Sequence, residues 1–275
     1  MTPENAQATP GFGHSKRRIV GEIAGLVVGL AVLGWGGYAT VGCVARKAVL
    51  ASSYTLDESI GEAAASQFSG DACTNPKLIE AFERLAAPLR AQLPADAGVM
   101  RLTVLDDPTV NAFALPGGYL FVLTGLVADA TSVEEVAGVM GHEMGHAALR
   151  HGVQRVAREL GARIALSVAL GGLDDSLAGL AGLATDVVGL AYDRAQEQES
   201  DDFGAALLAK AGIDPAGLGA FLGRMEAHPV SGWLSTHPEP HERRQRLLEA
   251  LPPVSGTAPA LPTLEELRQP CHAAP

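Results

Sequence analysis

The spacing of apolar and polar side chains divides the chain into stretches of different period. From Ile23 to Val44 no charged residue interrupts 22 positions, against the ~20 that a helix needs to cross a bilayer. Lys16-Arg17-Arg18 precede this run, and Arg46 and Lys47 follow it. The pattern therefore predicts a transmembrane helix over 19–45 behind a disordered, basic-ended tail over 1–18. A cleaved signal peptide is a rival reading, but the apolar core of such a peptide is typically about 7–15 residues long. A lipoprotein signal at Cys43 fits poorly, because Thr40-Val41-Gly42-Cys43 lacks a large aliphatic residue three positions before the cysteine. One extra positive charge on the N-terminal side leans the topology towards N-terminus inside.

After the apolar run the period becomes helical. Leu78, Ile79, Phe82, Leu85 and Leu89 recur on one helical face within a mostly helical stretch, 56–92. Met100–Leu105 and Tyr119–Leu123 are short β-rich runs, and Pro116-Gly117-Gly118 before the second predicts adjacent strands of a small sheet. Ser132 and Glu135 form a capping-box pattern that opens a long helix over 132–160. Residues 162–192 are rich in Ala, Gly and Leu, but Asp174, Asp175 and Asp186 interrupt them, which favours a helical hairpin over a second span. Further helices are expected over 193–211, 215–227 and 239–251, with an irregular last dozen residues. The fold class is thus α+β, mainly α-helical with a small β-sheet. One folded domain covers 49–252, and a Pro-rich C-terminal tail covers 253–275.

Composition narrows the function. At 47% hydrophobic and 19% charged, the chain can bury one full-sized core. Its net charge is −11, and residues 49–275 alone hold 15 basic against 29 acidic side chains. Such a surface repels phosphate backbones, so no nucleic-acid partner is expected. Three cysteines are too few and too scattered for a cysteine-based zinc finger, so any metal must be held by His and carboxylates. Cys73 and Cys271 lie near the two ends of the chain beyond the span, which predicts a disulfide tying the termini of an exported domain.

The long helix carries His142-Glu143-Met144-Gly145-His146. Spacing of i, i+4 puts both imidazoles on one face, able to hold one metal ion, with Glu143 beside them as a general base. A catalytic zinc site usually has three protein ligands. A metzincin would supply a third histidine six residues after the second; Gly152 stands there, so that class is excluded. His151, nine residues after His142, falls near the opposite face of a continuous helix and reads as a surface or packing histidine. Arg194-Ala195-Gln196-Glu197-Gln198-Glu199-Ser200-Asp201-Asp202-Phe203-Gly204 offers Glu197 and Asp201 one turn apart. On spacing alone Glu199 rivals Glu197 as a ligand.

HExxH followed some fifty residues later by Arg-x-x-Glu-x-x-x-Asp-x-x-Gly resembles the HtpX and CAAX-prenyl-protease family of membrane-associated zinc endopeptidases. Three further stretches match in order: Asn111–Tyr119 with Thr124-Gly125-Leu126, then Ala211–Pro215, then Ser235-Thr236-His237-Pro238 with Arg243. The resemblance covers residues 105–250 and implies a gluzincin-type metallopeptidase domain. It implies one zinc ion on His142, His146 and Glu197, with Glu143 as base and Asp201 orienting a ligand histidine. It also implies that His237 stabilises the oxyanion, and that Asn111, Ala112, Phe113, Gly117 and Gly118 belong to a sheet edge that binds an extended polypeptide substrate. His228 and His241 match no role and read as exposed.

Only one span is expected, ahead of the catalytic part, so the layout is closest to the exported BepA/LoiP-like branch, and prenyl-protein processing is not expected. That predicts a single-pass, membrane-anchored endopeptidase whose catalytic domain is extracytoplasmic or periplasmic. Its activity would be protein quality control, with hydrolysis by a zinc-activated water. A zinc-containing chaperone or assembly factor with a closed site is the alternative. Neither reading sets an oligomeric state.

Overall fold

The computed structural model of the chain describes residues 16–169, 191–227 and 232–272. The expected disordered tail and most of the expected hairpin over 162–192 lie outside the described residues. Helix α1 (Lys16–Ala51) is unbroken through the uncharged run. Among the described residues no helix is long and apolar enough to cross a membrane. Helix α2 (Tyr54–Ala65) follows, N-capped by Ser53, and then α3 (Pro76–Arg90), whose Asn75 cap accepts from the Lys77 N–H at 3.1 Å.

The sheet has three strands, β1 (Arg101–Leu105), β2 (Ala112–Leu115) and β3 (Tyr119–Leu123), in the order β1-β3-β2. β1 runs parallel to β3, from Arg101 opposite Tyr119 to Leu105 opposite Leu123, and β2 pairs antiparallel with β3. The two β-rich runs are neighbours as expected, and β2 forms an edge beside them. Pro116-Gly117-Gly118 joins β2 to β3 with both glycines at positive φ, 75° and 78°. A Cβ on Gly117 would lie 2.7 Å from Glu58 Cα, so this turn must be bare of side chains to sit against α2.

Helix α4 (Thr124–Asp129) leads to α5 (Val133–Ala148), where Ser132 Oγ accepts from the Glu135 N–H at 3.2 Å. The Glu135 carboxylate turns to Thr131 instead of to the cap backbone, accepting from its N–H at 2.9 Å and its hydroxyl at 2.6 Å. The expected continuous helix over 132–160 is two helices, because Arg150 adopts φ 58° and α6 (His151–Ala169) restarts in a new direction. A left-handed non-glycine costs about 1–2 kcal/mol. Here the Arg150 guanidinium offsets it by pairing with buried Asp57 at 2.6 Å and donating to the Ser52 carbonyl at 3.1 Å.

The remaining helices are α7 (Arg194–Lys210), α8 (Ala216–Ala227), α9 (Gly232–Thr236), α10 (Pro240–Glu249) and α11 (Leu264–Leu267). The last is a short helix where irregular chain is expected, opened by a reciprocal Thr263–Glu266 capping box. The main core gathers Leu78, Phe82 and Leu85 of α3, Leu120 and Val122 of β3, Met140 and Met144 of α5, Leu208 of α7 and Phe221 of α8. A second cluster on the other face of the sheet stacks Phe113 on Phe121 at 4.9 Å, with Phe68 packed against both. Cys73 and Cys271 form the expected disulfide, 198 residues apart in sequence.

Candidate metal centre

Helix α5 is buried along its length from Glu135 to Ala147. Its neighbour α7 approaches closely because glycines face each other across the contact. A Cβ on Gly204 would lie 2.8 Å from the His142 backbone nitrogen, and one on Gly145 would lie 2.6 Å from Ser200 Oγ. Ser200 Oγ donates to the His142 carbonyl at 2.5 Å. These contacts bring the first turn of α7, which is N-capped by Asp193, beside the second histidine of HExxH.

His142, His146, Glu197 and His237 are all buried and offer ligand atoms within 4.8 Å of one another. His142 Nε2 lies 3.0 Å from His146 Nε2 and 3.2 Å from His237 Nδ1. Glu197 Oε1 lies 3.3 Å from His146 Nε2 and 3.0 Å from His237 Nδ1. Glu143 Oε2 accepts the Ala114 N–H at 2.9 Å, and its Oε1 lies 3.3 Å from His237 Nε2 with no hydrogen-bond donor of its own. The structure therefore brings together His142, Glu143, His146, Glu197 and His237.

Asp201 lies one turn further along α7, its Oδ1 2.9 Å from His142 Nδ1. Arg243 of α10 spans both acids of α7. It pairs with Glu197 Oε2 and donates to the two Asp201 oxygens at 2.7 and 3.0 Å. Burial raises the Asp201 pKa, but the Arg243 charge and the His142 and Arg243 hydrogen bonds outweigh it and hold the carboxyl at about 2. For Glu197 burial likewise acts upward, and His237 and Arg243 hold it well below the usual range. Burial drives His146 well below its ordinary value, so it stays neutral.

The donor set suits a divalent cation. Three imidazoles with nitrogens about 3 Å apart cannot all be satisfied by sharing protons, whereas lone pairs converging on one point suit a metal. Three buried carboxylates, Glu143, Glu197 and Asp201, are met by the buried guanidinium of Arg243 and, at 3.7 Å from Asp201, by the half-buried Arg246, which leaves a surplus of negative charge that a dication would offset. Three nitrogens and a carboxylate oxygen match the ligand preferences of zinc.

The candidate substrate residues are placed unevenly. Ala112 sits buried on the edge strand, and Asn111 precedes it with Oδ1 buried and lacking a hydrogen-bond partner. The Phe113 ring belongs to the aromatic cluster beneath the sheet. Gly117 and Gly118 are buried in the turn against Glu58 and Val99. His241 is exposed and pairs with Glu226 at 2.7 Å, and His228 lies outside the described residues.

Two further residues stand at the centre that the sequence does not place there. His151 is fully buried rather than on the surface, with Nδ1 2.9 Å from His146 Nδ1, because the left-handed Arg150 swings it back over α5. Burial lowers its pKa to about 4, against the opposing pull of Glu199. Tyr192, immediately before the cap of α7, stacks on the His146 ring at 3.6 Å with Arg155 on its other face. Burial raises its phenol well above the ordinary value, as do the charges of Glu143 and Glu197. The spacing of His151 five residues after His146 is the one sequence signal that could have found it; nothing local marks Tyr192.

Residues 72–251 match the model of Peptidase family M48. The chain belongs to peptidase family M48. Relatives in this family include the mitochondrial metalloendopeptidase OMA1 of Arabidopsis thaliana, 35% identical over 150 residues that cover 54% of this chain and 30% of the relative. The metalloprotease LoiP of Escherichia coli is 37% identical over 150 residues, 52% of this chain and 59% of the relative. The metalloprotease YcaL of the same bacterium is 34% identical over 149 residues, 52% of this chain and 58% of the relative. The chain thus spans less than two thirds of the length of each. M48 membership agrees with the resemblance drawn from the motifs, and LoiP is among the matching relatives.

Proposed function

We propose that this chain is a zinc-dependent endopeptidase that hydrolyses peptide bonds in flexible or misfolded envelope or membrane-associated proteins. The observation that carries the reading is the buried convergence of His142, His146 and Glu197 with Glu143 beside them, in a member of family M48. One zinc ion held by those three residues would supply Lewis acidity towards water and the scissile carbonyl. Glu143 takes the proton of the attacking water and returns it to the leaving amine. His237, 3.3 Å from Glu143, donates to the developing oxyanion, and Asp201 orients His142 through Nδ1. An extended substrate adds along β2 at Asn111 and Ala112, while Phe113, Gly117 and Gly118 support that edge from behind.

The uncharged run 23–44 supports anchoring through 19–45, with the peptidase domain over 49–252 and a C-terminal segment over 253–275. The Cys73–Cys271 disulfide supports an extracytoplasmic, oxidising compartment for that domain. A second reading rests on the fourth ligand-like group: with His237 Nδ1 inside the cluster, four protein donors would close the coordination shell, as suits a chaperone or assembly factor that seldom cuts.

Zinc content and casein cleavage of the detergent-purified chain, wild type beside Glu197→Ala, test the proposal. About one zinc per chain, lost together with cleavage in Glu197→Ala, is the expected result. Zinc without cleavage under any condition favours the closed-site reading, and a wild type that takes up no metal defeats both.

A further inference from the structure

Beyond the ligands, a chain of polar contacts runs from the outer nitrogen of His146 to the N-terminal helix. His146 presents Nε2 to His142 and Glu197, which leaves Nδ1 facing His151 Nδ1 at 2.9 Å. His151 Nε2 lies 3.1 Å from Glu199 Oε2, and Arg46 of α1 meets both Glu199 oxygens at 3.1 and 3.3 Å. An ionised Glu199 can only accept. His151 must therefore donate from Nε2, which leaves its Nδ1 as the acceptor for the Nδ1–H of His146. One tautomer of each histidine satisfies every contact, and it is the one that frees His146 Nε2 for a metal.

We propose that His151, Glu199 and Arg46 are positioning residues for the metal centre: they lock the ring and tautomer of His146, so the docking of α1 sets how tightly the centre holds its metal. This rests on the zinc reading above. Several observations favour it over a packing role. His151 is fully buried with a polar partner on each ring nitrogen, so the orientation of its ring is fixed from both sides. The Arg46–Glu199 pair is exposed, with side chains 45% and 37% accessible, and such pairs contribute little to stability. Its value lies in direction, since Arg46 grips both Glu199 oxygens while Oε2 faces His151. Helix α1 is seated by further contacts to the same region. Val41 packs against Gly161 of α6, and Arg158 of α6, which borders Gly42, pairs with the Asp193 cap of α7 at 2.8 Å.

The test is chelator-competition measurement of zinc affinity on the full chain in detergent, with the visible spectrum of the cobalt-substituted protein and metal-free thermal unfolding in parallel. Partners of this kind typically alter metal affinity by about 10–100-fold. Glu199→Gln and His151→Gln are expected to weaken zinc by about 10-fold or more and to shift the cobalt bands, with metal-free unfolding of Glu199→Gln near wild type. Arg46→Gln should act in the same direction, Arg46→Lys should restore most of the loss, and Arg46→Gln with Glu199→Gln should be no weaker than Glu199→Gln alone. Unchanged affinity and cobalt spectra in both the Glu199 and His151 variants would overturn the proposal while leaving a zinc-loaded wild type intact. Additive losses in the double variant would remove Arg46 from the relay. A wild type without metal would overturn this proposal and the peptidase reading together.

Discussion

The Ala114 N–H of the edge strand donates to Glu143 Oε2 of the HExxH helix at 2.9 Å, so the sheet edge and the proposed general base are held in register with each other. Glutamine at 143 would keep an oxygen for that N–H and lose the ability to accept a proton. Glu143→Gln is therefore expected to retain metal and the fold while peptide hydrolysis falls by about 10²–10⁴-fold. Metal content and cleavage measured on the same samples check it.

His237 lies close enough to serve either as oxyanion donor or as fourth ligand. The donor role predicts that His237→Ala keeps its metal on three ligands and loses about 10²–10³-fold in turnover. A rise in hydrolysis would show that His237 shuts the centre.

Arg243 neutralises two buried acids of α7 and lies over the Trp233 ring at 5.0 Å. Arg243→Leu leaves Glu197 buried without its cation and Asp201 with only the more distant Arg246, which costs about 3–5 kcal/mol in the metal-free protein. Saturating zinc should reduce that loss. Arg243→Lys should fall between, because a single ammonium cannot present a fork to both carboxylates. Urea unfolding with and without metal measures both effects.

Cys73 and Cys271 close a loop of 198 residues, for which chain entropy gives about 5 kcal/mol of stabilisation. Reductant should lower the melting temperature of wild type and leave a Cys73→Ser, Cys271→Ser double variant unchanged. Exposed Cys43 should be the one cysteine alkylated without reductant.

Glu266 is held at about 2 by the Thr263 N–H first, and then by Arg84 and the Thr263 hydroxyl. Its folded pKa is depressed from 4.5, so its contribution is complete above about pH 4.5 and is lost as pH falls towards 2. The protection factor of the Thr263 amide, its exchange relative to the intrinsic rate at each pH, should fall over that window in wild type. In Glu266→Gln it should show no such step.

The parts legible in the sequence were those set by local period. The i, i+4 histidines share a face whatever surrounds them, and the β-rich runs at 101–105 and 119–123 are strands because their side chains suit a buried sheet. β2 was legible only through family resemblance, since Ala-Phe-Ala-Leu carries no β-branched residue. The spacing left Glu197 and Glu199 as rivals, because both lie in one acidic helical stretch. In the structure Glu197 faces α5 and Glu199 faces α1. His151 is buried, as a packing histidine would be, but not on the opposite helix face that its spacing predicts, because the helix breaks at an arginine, a residue that seldom adopts positive φ, and the compensating Asp57 lies 93 positions away. Tyr192 and Arg46 reach the centre only through tertiary packing.

The span from Cys73 to Cys271 includes nearly all the chain beyond the N-terminal helices, and it forms a covalent ring. A single nick inside that ring adds one water to the mass and releases no fragment until the sulfurs are reduced. For an endopeptidase this masks self-digestion, because a nicked molecule keeps its fragments together and its mass nearly unchanged until the disulfide is reduced. Specific activity in any purified sample therefore needs to be normalised to the full-length band seen after reduction.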